Sequence, residues 1–232
     1  MYYIKHKFTN NVYHALFEIG TFLEQMNNKI NYIYIEHIDK ESIPYQLFKL
    51  IKSIELLETK PEEYTLLDFI DYSTNPTKLY ILLRNTFSYL LEETIDRTKK
   101  YYISRKYNSN VENHKNISTR HIINEDDFYN KSLKYLGFSF IVMEELSILE
   151  QIQLFTNASY IISPHGAALT LSLFTNKDTQ IIEILPIVND KYHFKNICQF
   201  LDIPYKLYSN VKVLDNYLNM EINIDEFKFF IL

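Results

Sequence analysis

The chain has 232 residues, 47% hydrophobic and 16% aromatic, which is enough apolar surface for one large domain or two small ones and excludes a disordered protein. A formal charge of -5 argues against a general nucleic-acid or anionic-membrane surface. The single cysteine, Cys198, excludes an intrachain disulfide and suits a reducing soluble compartment such as the cytoplasm, and no window approaches the ~20 apolar residues of a membrane span.

Met1 to Lys7 lacks an apolar core of signal-peptide length. Tyr13 to Met26 carries apolar residues at helical spacing behind Asn10-Asn11, which offers a cap. A short strand is expected over Asn31 to Ile35. Pro44 then opens a helical pattern through Ile51, at a position where its missing N–H is harmless. Thr65 to Ile70 reads as a strand, and Thr77 to Arg97 as a long helix with a break near Arg84. From Arg97 to His121, seven basic residues stand against one acid, Glu112, a local balance of +6 within an acidic chain. Lys99, Lys100, Lys106 and Lys115 read as a solvated basic face, whereas the asymmetry as a whole suggests a local anionic ligand. The sequon at Asn116-Ile117-Ser118 reads as a chance match.

Strands are expected at Tyr101 to Ser104, Phe138 to Met143, Tyr160 to Ser163 and Gln180 to Ile184. Helices are expected at Glu125 to Leu136, Ile148 to Thr156, Ala167 to Phe174 and Tyr192 to Leu201. Gly137 sits where a C-cap glycine belongs, and Ser147 with Glu150 forms a reciprocal capping pattern. The closing stretch reads as a helix. Alternation of this length argues for an α/β fold with doubly wound parallel sheets.

Ser163-Pro164-His165-Gly166-Ala167-Ala168 places one of only three glycines between an apolar run and an amphipathic one. It reads as strand, a Ser-Pro break with a tight turn, then helix, and such a turn aims free backbone N–H groups at one spot where anions bind. Ligands of open parallel sheets sit beyond the carboxyl ends of the strands, where Arg105, His165-Gly166 and Glu183 all fall. A guanidinium, a helix start and a carboxylate there suit a ligand with a diphosphate and a diol.

These residues, in order, form a recognisable pattern: Ile103-Ser104-Arg105, Arg120 with Ile123-Asn124-Glu125, Gly137-Phe138, Leu146-Ser147 with Glu150-Gln151, Phe155 with Asn157-Ala158, Ser163 to Leu169 with Phe174, and Ile182-Glu183-Ile184. The pattern resembles glycosyltransferase family 61, which includes O-linked N-acetylglucosamine and plant xylose transferases. The likeness covers roughly residues 100 to 205, with a weaker piece at Asn11 to Glu18. It implies two Rossmann-like lobes of GT-B type: a reduced acceptor-side lobe over 1–96, a nucleotide-sugar lobe over 97–212 and a closing helix over 213–232. It also implies inverting transfer from a nucleotide-sugar donor of the UDP kind to a glycan or glycoprotein acceptor, with no cofactor and no obligatory metal, and the chain contains no Asp-x-Asp triplet. The acceptor lobe is short for that family, so a second copy or a partner chain is expected to complete it. The other reading is a degenerate, non-catalytic transferase kept as a glycan- or nucleotide-binding scaffold.

On this resemblance Arg105 pairs with the diphosphate, and the amides of Gly166, Ala167 and Ala168 stabilise the leaving nucleotide. His165 bonds a phosphate or a sugar hydroxyl, and a side chain at Gly166 would crowd the phosphate. Asn124 either caps its helix or joins the site, Glu125 either favours that helix's first turn or binds ligand, and Arg120 contacts phosphate or holds Glu125. Glu183 accepts from ribose hydroxyls. His14 and Glu18, four residues apart on one helix face, are the expected base and its orienting partner.

Overall fold

Two separate parallel sheets organise the chain in the computed structural model, which describes residues 1–26, 30–71, 76–92, 97–105, 119–186 and 192–231. One sheet belongs to each of two units, Met1–Glu93 and Thr94–Leu232. Lys106, Lys115 and the sequon at Asn116 lie outside the described residues.

The first unit runs β1 (Tyr2–Ile4), α1 (Val12–Leu23), β2 (Asn31–Ile35), α2 (Ile43–Lys49), β3 (Ile54–Leu56), β4 (Thr65–Leu67), α3 (Pro76–Thr86) and α4 (Ser88–Glu92). The strand order is β3-β2-β1-β4 with every pair parallel. Asn11 caps α1 as its position suggested, its side chain accepting from the Tyr13 amide at 3.0 Å. Ser42 caps α2 with Pro44 in the first turn. The helical break comes at Phe87, three residues after Arg84. Alternate strand residues face opposite ways, so Ile4, Ile33, Ile35 and Leu67 share a buried face. Tyr32 and Leu66 point to the other face and are exposed, at 42% and 51%.

The second unit runs β5 (Lys99–Ser104), α5 (Glu125–Phe128), β6 (Phe138–Val142), α6 (Ile148–Asn157), β7 (Ala158–Pro164), β8 (Gln180–Ile184), α7 (His193–Phe200), β9 (Tyr205–Tyr208), β10 (Val211–Val213), β11 (Met220–Ile222) and α8 (Ile224–Ile231). Five strands form one parallel sheet in the order β6-β5-β7-β8-β9, and β10 and β11 pair as a separate antiparallel hairpin. Gly137 ends its helix in the left-handed conformation at φ 81°, which glycine adopts without cost. The capping box forms as the spacing predicts, with the Ser147 amide donating to Glu150 Oε2 at 2.8 Å and the Glu150 amide donating to Ser147 Oγ at 3.3 Å.

Four expectations change. The helix from Glu125 is α-helical only to Phe128 and continues as a π turn, Tyr129–Leu133, and a 3-10 turn, Lys134–Leu136. Ser163 and Pro164 do not break the strand; they complete β7, paired with Glu183 and Ile184, because a proline at the last position costs the ladder only one donor. Ala167–Phe174 is a 3-10 helix, and Leu169 to Phe174 are all buried, so the run is enclosed on every side rather than amphipathic. The closing helix is confined to Ile224–Ile231, because residues ahead of it turn back as β10 and β11. Its Phe227 is fully buried, with its ring 4.8 Å from Phe128 and 4.7 Å from Tyr208. Burial of such a ring is worth about 1.5–3 kcal/mol, so α8 anchors the hairpin to the unit's core. No helix among the described residues is long and apolar enough to cross a membrane.

Candidate functional site

In the second unit the chain moves from β5 to β6 on one side, then crosses back to β7, which makes the carboxyl ends of β5 and β7 the topological switch point. Arg105 is the first residue beyond β5, and His165 the first beyond β7. The Arg105 Nη1 donates to the His165 carbonyl at 2.7 Å and its Nε to the Thr119 carbonyl at 3.1 Å. Two of the five guanidinium N–H donors are thereby committed, leaving three, so Arg105 is clamped in place before any ligand arrives. Burial, then the neighbouring charge of Arg120, push the Arg105 guanidinium down to about 10, with Glu144 pulling the other way.

Gly166 has extended backbone at φ -173°, which any residue adopts. Its need for glycine is one of space, because a Cβ at position 166 would land on the Arg105 guanidinium. The group it would crowd is the arginine that reaches across the turn. The 3-10 helix begins immediately after, at half-buried Ala167 and Ala168, where the first amides have no carbonyl ahead of them in the helix.

Arg120 adopts a left-handed conformation at φ 53°, uncommon for a non-glycine residue. The β10–β11 hairpin holds it there. The Arg120 amide donates to the Tyr217 carbonyl at 3.2 Å, and the Asn219 side-chain oxygen accepts from the His121 amide at 2.9 Å and from the Thr119 hydroxyl. Asp215 orients Asn219, accepting from its side-chain amide at 2.8 Å. Burial lowers the pKa of Arg120, against the pull of Glu183, and that of His121 falls through burial and the charge of Arg105. The Arg120 Nε and the His121 Nε2 are both buried without a hydrogen-bond partner. Buried polar atoms are normally satisfied, so these two orphans stand out beside a clamped arginine.

Glu183 is fully buried, and both its oxygens are committed. Oε1 meets His165 Nδ1, and Oε2 accepts from the Tyr205 hydroxyl at 2.6 Å. It ties the end of β8 to the residue after β7 and to the start of β9, and it leaves the His165 Nε2 unengaged by the carboxylate. Burial outweighs Glu183 in lowering the His165 pKa, and the ring packs against Phe194 at 4.9 Å. Ser163 is buried and donates to the Pro164 carbonyl. Glu125 is buried as well, accepting from Tyr102 at 2.6 Å and Ser104 at 2.9 Å, and no pairing with Arg120 occurs among the described contacts. Asn124 does not cap its helix. Its amide exchanges two hydrogen bonds with the Ile222 backbone, at 2.8 and 3.1 Å, and so also ties this segment to the hairpin.

In the first unit, His14 is exposed while Glu18 is buried, and the two do not pair with each other among the described contacts. Glu18 accepts from the Thr9 amide at 2.9 Å and the Thr9 hydroxyl at 2.8 Å, and the histidine beside it is His6, at 3.8 Å. Sequence reasoning missed His6, His121, Tyr205 and Asn219. His6 and Tyr205 lie on or next to strands too short to be read, and His121 and Asn219 meet only because the hairpin folds back.

Arg105, Arg120 and His121 therefore lie within electrostatic reach of one another, and Glu183, the carboxylate that pulls on Arg120, is already bonded to other partners. The sequence profile described as Glycosyltransferase 61 matches residues 13–182, well over half of the chain. No curated protein matches the chain at a significant level.

Proposed function

The chain belongs to glycosyltransferase family 61, and from that premise we propose that it moves a sugar from a nucleotide donor, a UDP-sugar, to a glycan or protein acceptor. Transfer inverts the anomeric carbon and needs no metal. In this reading residues 1–96 are the acceptor-side lobe and 97–212 the donor-side lobe of a GT-B enzyme, with 213–232 as its buttress, working in a reducing soluble compartment. A second copy or partner chain completes the short acceptor lobe, which the exposed Tyr32 and Leu66 support.

One observation carries the donor assignment: two half-buried arginines and an imidazole close to a switch point, with the Arg120 Nε and His121 Nε2 themselves buried and unsatisfied. The diphosphate oxygens take the three remaining N–H groups of Arg105 and the orphan donors of Arg120 and His121. As the bond to the anomeric carbon breaks, negative charge grows on the diphosphate, and donors fixed in advance in a buried site stabilise it most. Glu183 acts on this site by holding His165, whose carbonyl clamps Arg105; its role is positional rather than as an acceptor for ribose.

Calorimetric titration of UDP tests the reading. The wild-type chain is expected to bind UDP, and Arg105→Ala to bind it about 10- to 100-fold more weakly, the range for losing hydrogen bonds to a charged group. An absence of UDP binding contradicts the donor assignment, whereas binding with no turnover of any UDP-sugar favours the scaffold reading.

A further inference from the structure

Arg120 and His121 belong to no helix or strand, and the nearest regular pairing is a single bridge from Ile122 to Met220. Their backbone is set instead from 98 to 100 residues further on, in the turn that joins β10 to β11. The Arg120 amide donates to the Tyr217 carbonyl at 3.2 Å, and the Met220 amide donates to the His121 carbonyl at 2.8 Å. The side-chain oxygen of Asn219 accepts from the His121 amide at 2.9 Å and from the Thr119 hydroxyl. Thr119 in turn gives its carbonyl to Arg105 Nε at 3.1 Å. One turn therefore braces Arg120 and His121 directly and Arg105 through Thr119.

That turn contains no glycine or proline, although Leu218 within it is left-handed at φ 60°. Asp215 holds it in shape. Its carbonyl accepts from the Leu218 amide at 3.1 Å, its Oδ1 from the Tyr217 amide at 2.9 Å and the Asn219 amide at 3.1 Å, and its Oδ2 from the Asn219 side-chain amide at 2.8 Å. An asparagine side chain has one accepting end and one donating end, so a carboxylate on Nδ2 turns Oδ1 toward Thr119 and His121. Asp215 is exposed, yet its charge reaches the site, opposing the burial and the Arg105 charge that lower the His121 pKa. By charge alone, Asp215 would repel an anionic ligand.

We propose that Asp215 is a positioning residue of the anion site and sets its affinity for a diphosphate, by orienting Asn219 and with it the segment that carries Arg120 and His121; the identity of the ligand rests on the nucleotide reading above. Donors held in place ahead of binding cost less to order when the ligand arrives. The coupling is reciprocal: what the turn contributes to affinity, a bound nucleotide returns as stability of the turn. Positioning and bare charge predict opposite signs when the carboxylate is removed. Positioning predicts weaker binding of the anion, and charge alone predicts tighter binding.

Exchanging the two side chains provides the test. Asp215→Asn keeps an oxygen for the two backbone amides but sets a donor against Asn219 Nδ2, so Asn219 must turn over and present its own donor to the His121 amide. Asn219→Asp alone sets two carboxylates against each other. The double variant Asp215→Asn/Asn219→Asp restores a donor and an acceptor at both places with the net charge unchanged. Calorimetric titration of the full chain with UDP is expected to find each single variant about 10-fold weaker than wild type, and the double variant within about threefold of it. Binding by Asp215→Asn that equals or exceeds wild type overturns the proposal, as does a double variant no better than the singles. A second measurement needs no nucleotide. Exchange of the His121 amide with solvent deuterons, well below the unfolding temperature, should quicken about 10-fold in Asp215→Asn and return toward wild type in the double variant. Unchanged exchange in Asp215→Asn overturns the proposal as well. A wild-type chain that binds no UDP counts against the nucleotide reading instead, and His121 exchange then decides by itself whether Asp215 positions the segment.

Discussion

The two histidine–carboxylate pairs of this chain stand at comparable places, each beyond the carboxyl end of a parallel strand, yet one is sealed and the other open. In the second unit His165 and Glu183 are 5% and 0% exposed, and Tyr205 fills the carboxylate's second oxygen. In the first unit the His6 and Glu18 side chains are 20% and 8% exposed, 3.8 Å apart, and the histidine faces a pocket. A sealed pair with all but one ring position occupied fixes backbone, here the His165 carbonyl that clamps Arg105. An open pair with a ring nitrogen to spare can exchange a proton. Residue types alone do not separate these roles; the number of hydrogen-bonding positions already filled does.

The largest effect that can break this contrast is on stability. Glu183→Ala strips His165 and Tyr205 of their shared acceptor, and two stranded buried groups cost about 2–5 kcal/mol together. Glu18→Gln keeps an oxygen for Thr9 and is expected to cost less than about 1.5 kcal/mol. Urea unfolding of both variants measures the difference, and equal losses would mean that the pairs are of one kind. Gly166→Ala comes next. Its backbone conformation accepts alanine, but the new Cβ must displace the Arg105 guanidinium, so a loss of about 1–3 kcal/mol and weaker UDP binding are expected together. Asn219→Ala removes the acceptor for Thr119 and His121 at the surface of the same site and should cost about 1–2 kcal/mol, again with weaker UDP binding and no effect on His6.

The smallest expected effect is that of pH. Burial lowers the pKa of both His121 and His165 below the ordinary 6.5. The unfolded chain therefore takes up these protons first as pH falls, so this contribution to stability is complete above about pH 6.5 and declines below it. Thermal unfolding between neutral and mildly acid pH reads the slope, which should flatten when His165 is replaced by Gln.

Much of the second unit was legible because its signals are local. The Ser147–Glu150 box, the Gly137 cap and the runs at β5, β7 and β8 each depend on residues a few positions apart. Arg105, His165 and Glu183 were placed at strand ends by the same logic. The short strands β1, β3, β9, β10 and β11 were not, because three or four residues carry too little periodicity to separate strand from loop. The first unit's contacts differ from the expected His14–Glu18 pair for a related reason. Helical spacing puts His14 beside Glu18, but Glu18 turns inward to Thr9 and His6, which reach it from the end of a strand the pattern did not reveal. That a side chain at Gly166 would meet Arg105 was not legible, since only the fold brings the arginine across the turn.

The central claim is that the nucleotide binds at the Arg105–Arg120–His121 cluster and not at the open pair. Recording the histidine ring nitrogens of the full chain while UDP is added tests it most directly. The account predicts that His121 and His165 shift together, with saturation, while His6 stays in place. Movement of His6 with His121 and His165 unchanged would contradict it.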